Sequence, residues 1–364
     1  MERKVLNVGL IGLGEVAQVI HLPVLESLPE MYKVTAVCDI SAKLTDYIGD
    51  RYKVENRYTD AHKLVMQPDL DVVFILNSDE YHAECAIAAA NNGKHILIEK
   101  PMCLTFREAD AIIEAKNRNR VKVMVGYMRR YAVSFTEAVK EIGSLDRIQY
   151  ARVRDIIGPN SYFVKQSSRT VMFDDIPEEA RQDRANRSIK LIREATGTDS
   201  PVIHQAYRIL TNLGCHDLSA MREAIGMPRR VVGATSTNNG SFFMNAILDY
   251  GDFSVVYETG LDQVGRFDAH IEVYGGNKTV KVQYDTPYIR HLPVHMTVQE
   301  TEGETLKTSV IRHTFTDPYT IELKTFYETV IQDRDPKTTP EDFKQDLELF
   351  RMITDAMMHQ AIGS

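Results

Sequence analysis

Gly12-Leu13-Gly14-Glu15-Val16-Ala17 has the G-x-G-x-x-A spacing of a turn that takes a pyrophosphate. In such a turn Gly12 allows the tight bend and Gly14 keeps a side chain out of the ligand's way. Ala17 lets the following helix lie close on its strand, and the free N–H groups of that helix then meet the phosphates. The apolar run Val5 to Ile11 leads into the turn, and Asp39 closes the next apolar run, about 20 residues on, where an acid can accept the ribose hydroxyls. A second reactive residue is Lys100, in Glu99-Lys100-Pro101 behind the run His95-Ile96-Leu97-Ile98. The third is His216, in Asn212-Leu213-Gly214-Cys215-His216-Asp217, whose ordinary pKa of about 6.5 suits proton exchange near neutrality. If this turn is helical, Asn212 and His216 share a face at four residues' separation.

The elements that must position these groups alternate. Strand-like runs at Val5–Ile11, Val34–Cys38, Val72–Leu76, His95–Ile98 and Lys122–Gly126 are separated by helical stretches. Ser41, Asp60 and the capping box Thr105-Phe106-Arg107-Glu108 open three of those helices. Runs apolar on both faces suit a parallel sheet covered by helices, with ligands at the strands' carboxyl ends. This predicts an α/β fold: a doubly wound Rossmann domain over residues 1–126, followed by an α+β domain over 127–364.

The second domain is read from period-two alternation. Segments at 147–155, 229–237, 241–249, 253–258, 267–274 and 278–284, with runs around Val298 and Val310, predict a large, open, mostly antiparallel sheet. Asn238-Asn239-Gly240 and Tyr250-Gly251-Asp252 are its hairpin turns. His291-Leu292-Pro293-Val294-His295 has metal-like spacing, but Pro293 forbids a helix, so it is read as strand and no metal site is expected. Residues 158–201 form a charged excursion with a helix over about 177–195, a lid or an oligomer arm. A helix over 340–362 ends the chain.

Composition narrows the function class. With 364 residues, 43% hydrophobic and 26% charged, the chain suits two globular domains. A net charge of −8 argues against nucleic acid and anionic membranes as partners. No window reaches the ~18 apolar residues of a membrane span, and the N-terminal apolar run contains Asn7 and flows into the glycine turn, unlike a signal peptide. Cys38, Cys85, Cys103 and Cys215 lie far apart among apolar residues and read as free thiols in a reducing cytoplasm.

Taken in order, the glycine turn, Asp39, His82 before an Ala-rich helix, Gly93-Lys94-His95 leading to Glu99-Lys100-Pro101, and the segment around His216 resemble the glucose–fructose oxidoreductase/inositol dehydrogenase (Gfo/Idh/MocA) family. The resemblance covers nearly the whole chain. It implies NAD as cofactor, NADP being disfavoured by the charge of Asp39. Cofactor contacts are implied for Gly12, Leu13, Gly14, Glu15, Val16, Asp39, Asn77, His82, Glu99 and Lys100. It implies substrate contacts from Arg129, Tyr131 and Tyr207, with Arg130, Tyr288 and Arg290 as further candidates, and assembly into a homodimer or homotetramer through the open sheet. Asn212 departs from the family pattern, which has aspartate there; an amide orients a hydroxyl but does not take its proton.

The reaction so implied oxidises a secondary alcohol of a sugar, polyol or inositol-like molecule, with His216 as base, Lys100 on the reacting oxygen and Asn212 orienting the substrate. Two alternatives share the architecture: a glycosidase working by transient oxidation and elimination, and a non-catalytic NAD(P)-binding regulator.

Overall fold

The apolar run at the start of the chain becomes β1 (Leu6–Ile11), hydrogen-bonded in parallel to β2 (Tyr32–Cys38) on one side and to β4 (Val72–Ile75) on the other. With β3 (Asn56–Tyr58), β5 (His95–Glu99) and β6 (Val123–Gly126) it forms an all-parallel sheet of order β3-β2-β1-β4-β5-β6. The order reverses between β1 and β4, which opens a crevice beyond the carboxyl ends of those two strands. All four residues of β4 are buried, as a strand covered on both faces requires. Ser41, Asp60 and Thr105 cap the helices Ala42–Tyr52, Ala61–Val65 and Phe106–Asn119, and Glu108 completes the capping box. The computed structural model describes the backbone of residues 4–362 and side chains through residue 359.

The first compact unit gathers Met1–Gly126 with Ser168–Ala195 and Glu322–Gln345. The last of these segments sets Phe326 edge-on to Phe74 and gives the Leu323 carbonyl to the Tyr32 hydroxyl at 2.6 Å. It also occupies the open edge of β6: Val125 N donates to Thr338 O, and Thr338 Oγ1 to Val125 O, each at 2.8 Å. An unpaired strand edge is thereby closed.

The second unit comprises Tyr127–Ser167, Thr196–Ile321 and Asp346–Ser364. Its eight strands are β7 (Tyr150–Ile157), β8 (Arg230–Asn238), β9 (Phe242–Asp249), β10 (Ser254–Leu261), β11 (Phe267–Tyr274), β12 (Lys278–Tyr284), β13 (His295–Glu302) and β14 (Thr305–Ile311). They lie in the order β14-β13-β12-β11-β7-β10-β9-β8, antiparallel throughout except for the parallel pair β7 and β10. Helices Val133–Gly143 and Cys215–Ile225 pack on this sheet. Exposed Val232, Ile247, Leu306 and Val310 lie along its strands. The helices Met128–Tyr131, Asn160–Ser167, Pro201–Ile209 and Pro318–Ile331 go beyond the sequence reading. The segment 291–295 is a correction. It is turn and irregular chain, and only His295 enters a strand, because Pro293 has no N–H to give a ladder.

A charged cluster sits inside this unit. Arg129, at 3% exposure, donates from Nη1 to Asp155 Oδ2 at 3.0 Å and to Asp217 Oδ1 at 2.5 Å, and both acids are fully buried. Its guanidinium also lies over the rings of Phe267 and Tyr284, at 5.3 and 5.2 Å. The remaining oxygens, Asp155 Oδ1 and Asp217 Oδ2, are buried without a hydrogen-bond partner. Two acids against one cation cannot both ionise cheaply in a dry site. Burial pushes Asp217 up, Arg129 opposes it, and the neighbouring Asp155 adds to the rise; the result lies well above the ordinary carboxyl range. Burial and the neighbouring acid thus push Asp217 toward its protonated form.

Removing Arg129 strands that pair, so Arg129→Met should cost about 3–5 kcal/mol in urea unfolding. For Asp217 the sign follows from its raised folded pKa: folding takes up a proton there. Its contribution is fully present below the unfolded value of about 4 and is lost as pH rises toward the folded value. Asp217→Asn keeps a donor that does not titrate. Its urea midpoint should gain on wild type as pH rises above the unfolded value of about 4, and a gap independent of pH would contradict the raised folded pKa of Asp217.

Candidate functional site

The glycine turn is fixed from beneath. Gly12 has φ +93°, a left-handed conformation, and a Cβ there would stand 2.4 Å from the Asn77 backbone nitrogen. Gly12 N donates to Cys38 O at 2.8 Å, and Leu13 N to Asp39 Oδ2 at 2.8 Å; the other Asp39 oxygen accepts from Ser41 N at 2.9 Å. One carboxylate thus ties the turn after β1 to the turn after β2. Burial pushes the Asp39 carboxyl up, the N–H groups of Leu13 and Ser41 pull it down, and the charge of Asp175 pushes it up again, leaving it somewhat raised.

Above Gly14 nothing lies within 4 Å of where a Cβ would be. The chain then enters a helical turn at Glu15 and Val16, continues as a π-helix over Ala17–His21, and seats Ala17 fully buried. Leu13 is buried under the turn, while Glu15 and Val16 are half-buried. A groove of about 650 Å³ opens here, lined by Gly12, Gly14, Asp39, Ser41 and Asn77. Asn77 Oδ1 is buried without a hydrogen-bond partner, and the amide nitrogen reaches only Cys85 Sγ at 3.5 Å. An open backbone cradle, a carboxylate braced beside it and an uncommitted amide acceptor fit a dinucleotide.

The carboxyl ends of β4 and β5 form a second cluster in the same unit. His82 spans two carbonyls, with Nδ1 2.8 Å from Pro101 O and Nε2 2.9 Å from Asn77 O. Glu99 Oε1 lies 2.8 Å from His21 Nε2, and its Oε2 accepts from Lys100 N at 3.1 Å. Burial raises the Glu99 carboxyl, but the hydrogen bond and charge of His21 and the charge of Lys100 outweigh it, so Glu99 is held below its ordinary value. Lys100 is half-buried at the end of β5, and the Lys100–Pro101 peptide is cis. Asn77, His82, Glu99 and Lys100 are thus brought together. His21 and Gln18, which donates from Nε2 to Leu13 O at 2.9 Å, were missed by the sequence reading. The only signal was a polar residue on an otherwise apolar helix face.

In the second unit His216 is buried in the first turn of the helix Cys215–Ile225. Asn212 is exposed and lies in a π-helical turn, Leu210–Gly214, directly before the helix that carries His216. Gly214 is there for space: a Cβ would meet the Tyr257 hydroxyl at 2.3 Å. Arg129, Tyr131 and Tyr207 are buried in this unit, Arg129 against its two acids and Tyr207 edge-on to Phe350. Arg130 pairs with Glu223 at 2.6 Å, and Arg290 lies 3.7 Å from Asp317. All four cysteines are free and buried, with burial raising Cys38 to about 12 and Cys85 to about 11. Among the described residues no cluster of His, Cys, Asp or Glu has the makings of a metal site, and no helix is long and apolar enough to cross a membrane.

Comparison with known proteins agrees with this geometry. The profile of the GFO_IDH_MocA oxidoreductase family, NAD-binding Rossmann fold, matches residues 6–127. The inositol 2-dehydrogenase of Salmonella typhimurium is 36% identical over 141 residues, which is 38% of this chain and 42% of that protein, so the match spans well under half of that relative. The myo-inositol 2-dehydrogenase of Thermotoga maritima is 24% identical over 94% of this chain and 93% of its own. In structure, the scyllo-inositol dehydrogenase of Lactobacillus casei, solved with NAD(H) and scyllo-inositol, superposes with a TM-score of 0.71 over 98% of both chains at 18% identity, which shows the fold. Over residues 6–127, then, the chain matches the NAD-binding Rossmann domain of the GFO_IDH_MocA oxidoreductase family.

Proposed function

We propose that this protein is a nicotinamide-dependent oxidoreductase that moves a hydride between a secondary alcohol of a sugar, polyol or inositol-like substrate and NAD. The observation that carries the reading is the conjunction, within one Rossmann unit, of the open turn braced on Asp39 with Lys100 at the carboxyl end of β5. The named relatives, an inositol 2-dehydrogenase among them, supply the substrate class.

Gly12 to Val16 hold the pyrophosphate and Asp39 the adenosine ribose, while Asn77, His82, Glu99 and Lys100 shape the far end of the crevice. NAD, when bound, supplies the acceptor for the hydride. The chain's own residues deal with the proton. His216 takes it from the hydroxyl, Lys100 holds and polarises the oxygen, and Asn212 orients the substrate. Arg129, Tyr131 and Tyr207 enter as positioning residues, since each is buried within the second unit. The exposed apolar side chains along the wide sheet support a homodimer or homotetramer. Four buried free thiols support residence in the cytoplasm.

Proton transfer by a placed side chain is worth about 10²- to 10⁴-fold. Lys100→Ala and His216→Ala should each lower kcat by about that factor with the NAD Kd nearly unchanged, whereas Asn212→Ala should act more on KM. The measurement is NADH formation across a panel of sugars, polyols and inositols. Absence of turnover with every member, or near-wild-type rates in both variants, would contradict the reading. For assembly, light scattering at micromolar concentration should give at least twice the chain mass.

A further inference from the structure

The helix Ala42–Tyr52 begins directly beyond Asp39, and its N-terminus opens toward the end of the groove where Asp39 stands. Free N–H groups and a positive dipole end make such a terminus receptive to an anion. An adenosine 2′-phosphate, the one group that distinguishes NADP from NAD, is an anion delivered beside the residue that holds the ribose.

In this protein the position is already filled from a distant part of the chain. Asp175 Oδ1 accepts from Ser41 Oγ at 2.5 Å, and Asp175 Oδ2 accepts from Lys43 N at 3.0 Å. The hydroxyl and N–H that would receive a phosphate ester are both spent on a carboxylate. These two donors hold the Asp175 carboxyl below its ordinary range, so it is charged at neutral pH, and its charge is felt at Asp39.

The segment that delivers Asp175 is fastened on both sides. Val171 and the Gln18 amide exchange two hydrogen bonds, each 2.9 Å, and Phe173 packs edge-on to Tyr47. Beyond it, the helix Glu178–Thr196 is tied down by Tyr81 to Asp183 at 2.7 Å and by Arg187 to Glu84 at 2.8 Å. Met172, Phe173 and Ile176 of the same segment line the groove.

We propose that Asp175 is a specificity-determining residue: an internal carboxylate that occupies the 2′-phosphate position and, with Asp39, excludes NADP. The proposal rests on the cofactor reading above. A phosphate brought to within about 4 Å of a carboxylate loses roughly tenfold in affinity even at high dielectric, and more where water is excluded. The inserted segment thus serves as a wall of the cofactor site and as its selectivity element.

Isothermal titration calorimetry of NAD+ and NADP+ against the full chain tests this without reference to catalysis. Wild type should prefer NAD+. Asp175→Ala, and Asp175→Asn, which keeps the shape and an acceptor for Ser41, should each narrow the NAD+/NADP+ preference by about tenfold, and Asp175→Asn combined with Asp39→Ser should narrow it further than Asp39→Ser alone. Thermal melting identifies any variant that fails to fold, in which case Asp175→Asn decides. A preference unchanged in folded Asp175 variants would overturn the proposal, as would a wild type that binds NADP+ as tightly as NAD+. Binding of neither dinucleotide by wild type would instead overturn the cofactor reading on which it rests.

Discussion

The structure of the first unit depends on one carboxylate with two grips. Asp39 takes the Leu13 N–H with one oxygen and the Ser41 N–H with the other, so the turn after β1 and the start of the helix after β2 are set as a single piece. Each bond is charge-assisted and partly buried, which makes it stronger than a neutral pair. Gly12 tolerates the resulting bend, Gly14 leaves it open, and Ala17 lets the helix settle. The shape of the groove is thus set by contacts within the unit.

In the second unit the organising constraint is charge balance in a dry interior. Arg129 meets Asp155 from β7 and Asp217 from the helix that also carries His216, and the pKa of Asp217 is pushed up by burial and the second acid. These two buried ion pairs tie β7 and that helix to Arg129. The residue beside His216 is thereby anchored, and with it the start of that helix.

Much of this was legible in the sequence because it is written locally. The parallel strands, the three capped helices, the two hairpin turns and the thiols rest on residues within a few positions of one another, where periodicity and capping chemistry speak directly. What escaped depends on pairs far apart in the chain. Ser41 and Asp175 are 134 residues apart, His21 and Glu99 are 78 apart, and Arg129 and Asp217 are 88 apart, and no local pattern announces such meetings. The π-helical turn before His216 and the close approach of the Tyr257 hydroxyl to Gly214 have no spacing signature in the sequence either.

The central claim is that a hydride passes between a substrate carbinol and the nicotinamide, with the proton handled separately by the chain. A single turnover with an alcohol substrate deuterated at the reacting carbon, followed by mass spectrometry of the dinucleotide, tests this most directly. The account predicts that the reduced cofactor carries the deuterium and the product ketone has lost it. Deuterium retained in the product, or washed into water with the dinucleotide unlabelled, would contradict it.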